Sequence, residues 1–105
     1  MADDNACMKS IERVMGIFGG KWSFIIIDEL HNGPRRFNQL NKNLNINTKS
    51  LTDALKHLEQ HNIISRTVYP TVPVTVEYAL TERGRAFDCV LDAMKDWSNR
   101  WLTAG

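Results

Sequence analysis

Gly33 to Leu80 reads GPRRFNQLNKNLNINTKSLTDALKHLEQHNIISRTVYPTVPVTVEYAL. Phe37, Leu40 and Leu44 keep helical spacing, and Leu44-Asn45-Ile46-Asn47 makes a turn. Leu51, Ala54, Leu55 and Leu58 then recur at i, i+3, i+4, i+7 in a longer helix, about Thr48 to His61. Ile64 to Tyr69 and Val74 to Leu80 are rich in Val, Ile, Thr and Tyr, and the second alternates Val74, Val76, Tyr78 and Leu80, the pattern of two strands. Pro70-Thr71-Val72-Pro73 joins them and stiffens the tip, removing amide donors that another strand could recruit. Helix, turn, longer helix and ribbon form the order of a winged helix-turn-helix, an α+β fold that is mainly α. The helix-turn-helix spans about 36–61 and the wing about 63–80.

Working outward, Ile11, Val14, Met15 and Phe18 mark a first helix, about 7–18, that stops at Gly19-Gly20. Trp22, Ile25, Ile26 and Leu30 mark a second helix, buried on most sides and ended by Asn32-Gly33-Pro34. Arg35-Arg36 is a short strand. On the other flank Thr81 is a natural N-cap for a final helix, about 81–102, striped by Phe87, Val90, Leu91, Met94, Trp97 and Trp101. The terminal helices carry more apolar surface than a small core needs, and aromatic and Met side chains are favoured at interfaces. A homodimer joined through these two helices is expected.

A chain of 105 residues fits one domain, 1–105, and 43% apolar with 24% charged residues is ordinary globular composition. No apolar run approaches the ~20 residues of a membrane span. Met1-Ala2-Asp3-Asp4 lacks the basic start and apolar stretch of a secretory signal, so the cytoplasm is the expected location. Cys7 and Cys89 are too few for a disulfide scaffold and lack zinc-site spacing. His57 and His61 have the i, i+4 spacing that can hold a metal, but no third ligand follows from the pattern. There is no glycine-rich phosphate loop, nucleophile elbow or triad spacing. The expectation is a protein that is not an enzyme, with no cofactor and no metal.

The net charge of +1 hides an uneven distribution. Arg35, Arg36, Lys42, Lys49, Lys56 and Arg66 face only Asp53 and Glu59 between positions 35 and 66, while both flanks are net acidic. The positive charge therefore sits in the helix-turn-helix tract, where phosphate contacts belong. The second helix of such a motif enters the major groove by its N-terminal end. That nominates Asn47, Thr48, Lys49, Ser50, Thr52, Asp53 and Lys56, with Asn47 or Thr48 as N-cap. Arg36 precedes the motif, and Arg66, Thr71 and Thr75 are candidate phosphate contacts from the wing. In a dimer the two reading helices fall about 34 to 36 Å apart, or a multiple of that, on a near-palindromic duplex.

Gly19-Gly20-Lys21-Trp22, Gly33-Pro34-Arg35-Arg36-Phe37, Lys49-Ser50-Leu51, Tyr69-Pro70-Thr71-Val72-Pro73 and Val76 through Gly84 occur in an order that resembles the HxlR family of bacterial transcriptional regulators. The resemblance runs from Cys7 to Trp101. It implies a dimeric, MarR-like winged-helix protein that binds DNA, with repression as a common role. It also implies, for some members, sensing of electrophiles or oxidants through a cysteine near the N-terminus, the position Cys7 matches. Independently, Cys7 stands at the start of the first helix, where the helix dipole favours a thiolate, with Lys9 and Arg13 near in sequence. Cys89 lies away from the apolar stripe of its helix. Some sensors of the family carry a second cysteine for an intersubunit bridge; Lys49 and its neighbours offer none. Two other readings stay open at this point: a regulator that answers a non-covalent ligand near Trp22, Phe24 or Trp97, and a winged helix used as a protein-interaction module.

Overall fold

The computed structural model describes residues 4–102, with side chains described from Met8 onward. The elements follow as α1 (Asp4–Phe18), α2 (Ser23–Leu30), β1 (Arg35–Arg36), α3 (Phe37–Leu44), α4 (Thr48–Gln60), β2 (Ile64–Tyr69), β3 (Thr75–Leu80), α5 (Glu82–Arg85) and α6 (Asp88–Trp101). The strands form an antiparallel sheet in the order β1-β3-β2. Arg35 pairs with Tyr78, and the wing runs in register from Ile64 opposite Leu80 to Tyr69 opposite Thr75. This is a winged helix-turn-helix, mainly helical with a small sheet.

The core is made by the apolar faces that periodicity marks. Leu51, Leu55 and Leu58 of α4 are fully buried against Ile26, Ile27, Leu40, Ile63 and Ile64. Burying each such side chain contributes about 1.5–3 kcal/mol, so these faces set how α4 sits on the scaffold. Burial in the wing follows its alternation only near the base, where Tyr78 and Leu80 are buried. Val74 is exposed and β3 begins at Thr75, because the tip extends past anything it could pack on.

Two expectations are corrected. Ile25 does not join the inward face of α2; it is 44% exposed, and Ser23, Ile26, Ile27 and Leu30 line the buried side. Phe24-Ile25-Ile26-Ile27 supplies apolar side chains in every direction, so two helical arcs fitted the pattern equally well. The final segment is also not one helix. Thr81 caps it as expected, its Oγ1 accepting from the Gly84 amide at 3.1 Å, but the first piece is the single turn α5. The chain then re-aims because Phe87 inserts beside Phe18 (centroids 4.1 Å apart) and Phe24 (5.8 Å), joining a stack at the meeting of α1, α2 and α6.

Beyond that stack α6 touches the body lightly. Leu91 is its buried residue, and Lys95 hydrogen-bonds and pairs with Asp28 of α2. The hydrogen bond to Asp28 lifts the Lys95 pKa above its ordinary 10.5. A lysine pKa raised by folding stabilises the fold fully below that ordinary value, and the gain disappears only as pH climbs through the raised one. The tie therefore holds throughout the neutral range. His31 Nε2, at the end of α2, lies 3.4 Å from Asp88 Oδ1 without the alignment of a hydrogen bond.

Candidate nucleic-acid interface

The reading helix is fixed at its entrance. Asn45 takes the left-handed conformation (φ 52°) that lets the chain reverse after α3, and Ile46 plugs the turn into the core at 3% exposure. Asn41 Nδ2 donates to the Ile46 carbonyl at 2.7 Å and locks the reversal. Asn47 Oδ1 accepts from the Ser50 amide at 2.8 Å, so Asn47, not Thr48, is the N-cap. A cap of this kind contributes about 1 kcal/mol and occupies the Asn47 carbonyl oxygen.

The face away from Leu51, Leu55 and Leu58 carries Lys49, Thr52, Asp53 and Lys56 at the surface, with Thr48 exposed and Ser50 half-buried. Lys49 and Asp53 pair loosely at 3.5 Å with side chains 88% and 66% exposed, a contact worth little in water and readily exchanged. The Thr52 hydroxyl donates to the Thr48 carbonyl at 2.8 Å, which leaves its oxygen as an acceptor.

On the wing side, Arg36 and Arg66 share a cleft of about 460 Å³ with Asn38, Thr75 and Tyr78. Arg66 reaches it from β2, where it stands opposite Tyr78. Thr71 and Thr75 are tied up at the tip: the Thr71 hydroxyl contacts the Pro73 carbonyl at 2.7 Å and the Thr75 hydroxyl at 3.0 Å. They brace the wing, and a phosphate has to compete with those bonds. Asn38 was missed by sequence reasoning; its signal is its place in the first turn of α3, beside Arg36. Arg35, counted among the basic residues of the tract, turns away: its Nε bonds Glu29 Oε2 at 3.1 Å, and Asn43 bonds the same oxygen at 3.2 Å. That guanidinium is neutralised within the scaffold.

The histidine pair does not converge on a point. His57 and His61 meet edge to face at 4.6 Å, and His57 Nε2 lies 3.1 Å from the Gly16 carbonyl oxygen. Among the described residues, no three His, Cys, Asp or Glu side chains group for a metal. Among the same residues, no helix is long and apolar enough to cross a membrane. Cys89 is exposed, its Sγ 3.7 Å from the Ala86 carbonyl oxygen. Cys7 falls in the first turns of α1, and its side chain lies outside the described residues.

An exposed apolar band completes the surface. Met8, Ile11, Val14 and Met15 of α1 and Val90, Met94, Trp97 and Trp101 of α6 are each at least 39% exposed. The α1 stripe thus buries only its last member, Phe18, within the protomer.

Residues 17–105 match the family model described as HxlR-like helix-turn-helix. An uncharacterised helix-turn-helix transcriptional regulator of Synechocystis is 45% identical over 93 residues, covering 88% of this chain and 69% of that protein. The helix-turn-helix transcriptional regulator YodB of Bacillus subtilis is 35% identical over 102 residues, covering 96% of this chain and 91% of that protein. The solved structure of its reduced form superposes with a TM-score of 0.80 over 100% of this chain and 99% of that one, and YodB is also known in quinone-bound and diamide-treated forms. The redox regulator HypR, in its reduced form, superposes with a TM-score of 0.81 at 36% identity, covering 87% of this chain and 91% of that one. With a capped, outward-facing α4 and a wing beside it, the chain belongs to the HxlR family of DNA-binding helix-turn-helix transcriptional regulators.

Proposed function

We propose that the protein is a homodimeric repressor that reads a near-palindromic operator with α4 and is released when Cys7 is modified by an electrophile or oxidant. The observation that carries the DNA half is the pairing of a rigidly capped α4, with Lys49 and Lys56 outward, and the arginine-lined cleft at the wing base. Asn47, Thr48, Lys49, Ser50, Thr52, Asp53 and Lys56 face the major groove. Arg36 and Arg66 hold the backbone, with Thr71 and Thr75 shaping the wing that approaches it. The apolar band on α1 and α6 supports the dimer, because a contiguous patch of Trp, Met and Ile rimmed by charge is unusual on a monomer.

The sensing half rests on the place of Cys7 near the positive end of the α1 dipole, which favours the thiolate that attacks electrophiles. YodB in its quinone-bound form and HypR as a redox regulator support the same chemistry here. Addition to a quinone forms one S–C bond and leaves a hydroquinone ring, with the proton going to the carbonyl oxygen. A bulky group at that point shifts α1 against α6 and changes the spacing of the two α4 helices.

Selection of bound duplexes from source-genome fragments, with and without a quinone, tests both halves. An enriched inverted repeat that is lost on quinone treatment is expected; no enrichment above random DNA contradicts the DNA half. Cys7→Ser should bind as wild type and resist release, whereas Cys89→Ser should be released normally. A Cys7→Ser protein with the wild-type dose response removes the sensing half.

A further inference from the structure

The Gly19-Gly20-Lys21-Trp22 turn has no part in the reading face described above, yet the fold sets it against the flank of α4. We propose that this turn is a second anchor for the DNA backbone, seating one phosphate between Lys21 and the first turn of α4. The inference rests on the DNA-binding reading and extends it to the opposite side of the reading helix from the wing.

The turn and α4 enclose a cleft of about 570 Å³, with Gly20, Lys21 and Ser23 on one wall and Ser50, Asp53 and His57 on the other. Ser23 lines it although the residue is only 2% exposed, and its hydroxyl makes no hydrogen bond with any described residue. A side chain at position 20 would reach within 3.2 Å of that hydroxyl, so Gly20 keeps it approachable. Trp22, the N-cap of α2, offers no side-chain acceptor to the first turn of that helix. The positive end of α2 is thus left without a partner at the cleft mouth.

Lys21 is exposed, with its Nζ held 4.8 Å from the centre of the Trp22 ring. An ammonium already held by a ring loses less freedom on meeting a phosphate than a free surface lysine. The one carboxylate in the lining, Asp53, lies 3.5 Å from Lys49 Nζ, which screens it from an incoming anion. A helix in the major groove is flanked by two backbone walls. Arg36 and Arg66 meet one wall at the wing; Lys21, Ser23 and Ser50 meet the other.

Binding of the full-length protein to its selected operator and to a random duplex, titrated over a range of salt, decides the matter. Lys21→Met keeps the stem over Trp22 and removes the charge; Lys21→Arg keeps the charge. For one lost phosphate contact, Lys21→Met should weaken both duplexes about equally, by about eightfold at 0.1 M salt, and lower the log–log salt slope by about one. Lys21→Arg should stay within about twofold of wild type. Thermal unfolding at the wild-type midpoint confirms that Lys21→Met is folded. Wild-type affinity and slope for a folded Lys21→Met overturn the anchor while leaving the α4 reading intact. Failure of the wild-type protein to bind any duplex overturns both.

Discussion

A chain carrying Met94→Glu and Trp97→Glu should sediment as a folded monomer at micromolar concentration and bind its operator about a thousandfold more weakly, near its affinity for random DNA. Both side chains stand on the outer face of α6, 45% and 57% exposed in the protomer, and neither belongs to the core around Leu91. The Phe87 stack and the Lys95–Asp28 tie remain, so the subunit keeps its fold. What is lost is apolar contact across the twofold, replaced by carboxylates that repel their own copies. A monomer has one α4 and meets half a site. A variant that stays dimeric, or a monomer with full operator affinity, contradicts the assignment of this face. Analytical ultracentrifugation and anisotropy on the same samples separate the two outcomes.

Gly84→Ala should be the most damaging single change at a small residue, lowering stability by on the order of 3 kcal/mol, at the upper end for overpacking. Gly84 is buried where α5 crosses the start of the wing, and a Cβ there would lie 2.2 Å from the Ile63 carbonyl oxygen and 3.1 Å from a Leu80 methyl. The first of these is backbone already accepting from the Thr81 amide, so it cannot swing aside. At roughly 4–8 °C per kcal/mol for a chain of this size, the unfolding midpoint should fall by more than about 10 °C. Gly16→Ala serves as the control: it meets open space in α1, and removing a helical glycine should leave the midpoint unchanged or raise it. Equal midpoints for Gly84→Ala and wild type contradict the close approach.

The parts of this account that were legible in the sequence are those decided by one period at a time. Leu51, Leu55 and Leu58 point the opposite side of α4 outward whatever surrounds it, so Lys49 and Lys56 could be placed before any coordinates. The wing was legible because β-branched alternation and two prolines admit few other structures. Ile25 was misplaced because four adjacent apolar residues satisfy two arcs, and only the neighbours Leu40 and Leu51 choose between them. The break between α5 and α6 has no local stop signal; Phe87 turns the chain by stacking on rings from α1 and α2, a long-range cause. Arg35 looked like a free cation until Glu29, six residues earlier, was brought to it by the Gly33 turn (φ 125°). Lys21 carries no periodic signal at all. Its nearness to Ser50 and Asp53 exists only once α1, α2 and α4 are packed together.

The central claim is that two copies of α4 lie in successive major grooves of one duplex. Methylation interference on a selected operator reads this directly, because guanine N7 lies in the major groove. The account predicts two clusters of interference related by a twofold axis, with centres about one helical turn apart or a multiple of that, both lost from a Lys49→Glu protein. A single cluster, or interference unchanged by Lys49→Glu, contradicts it.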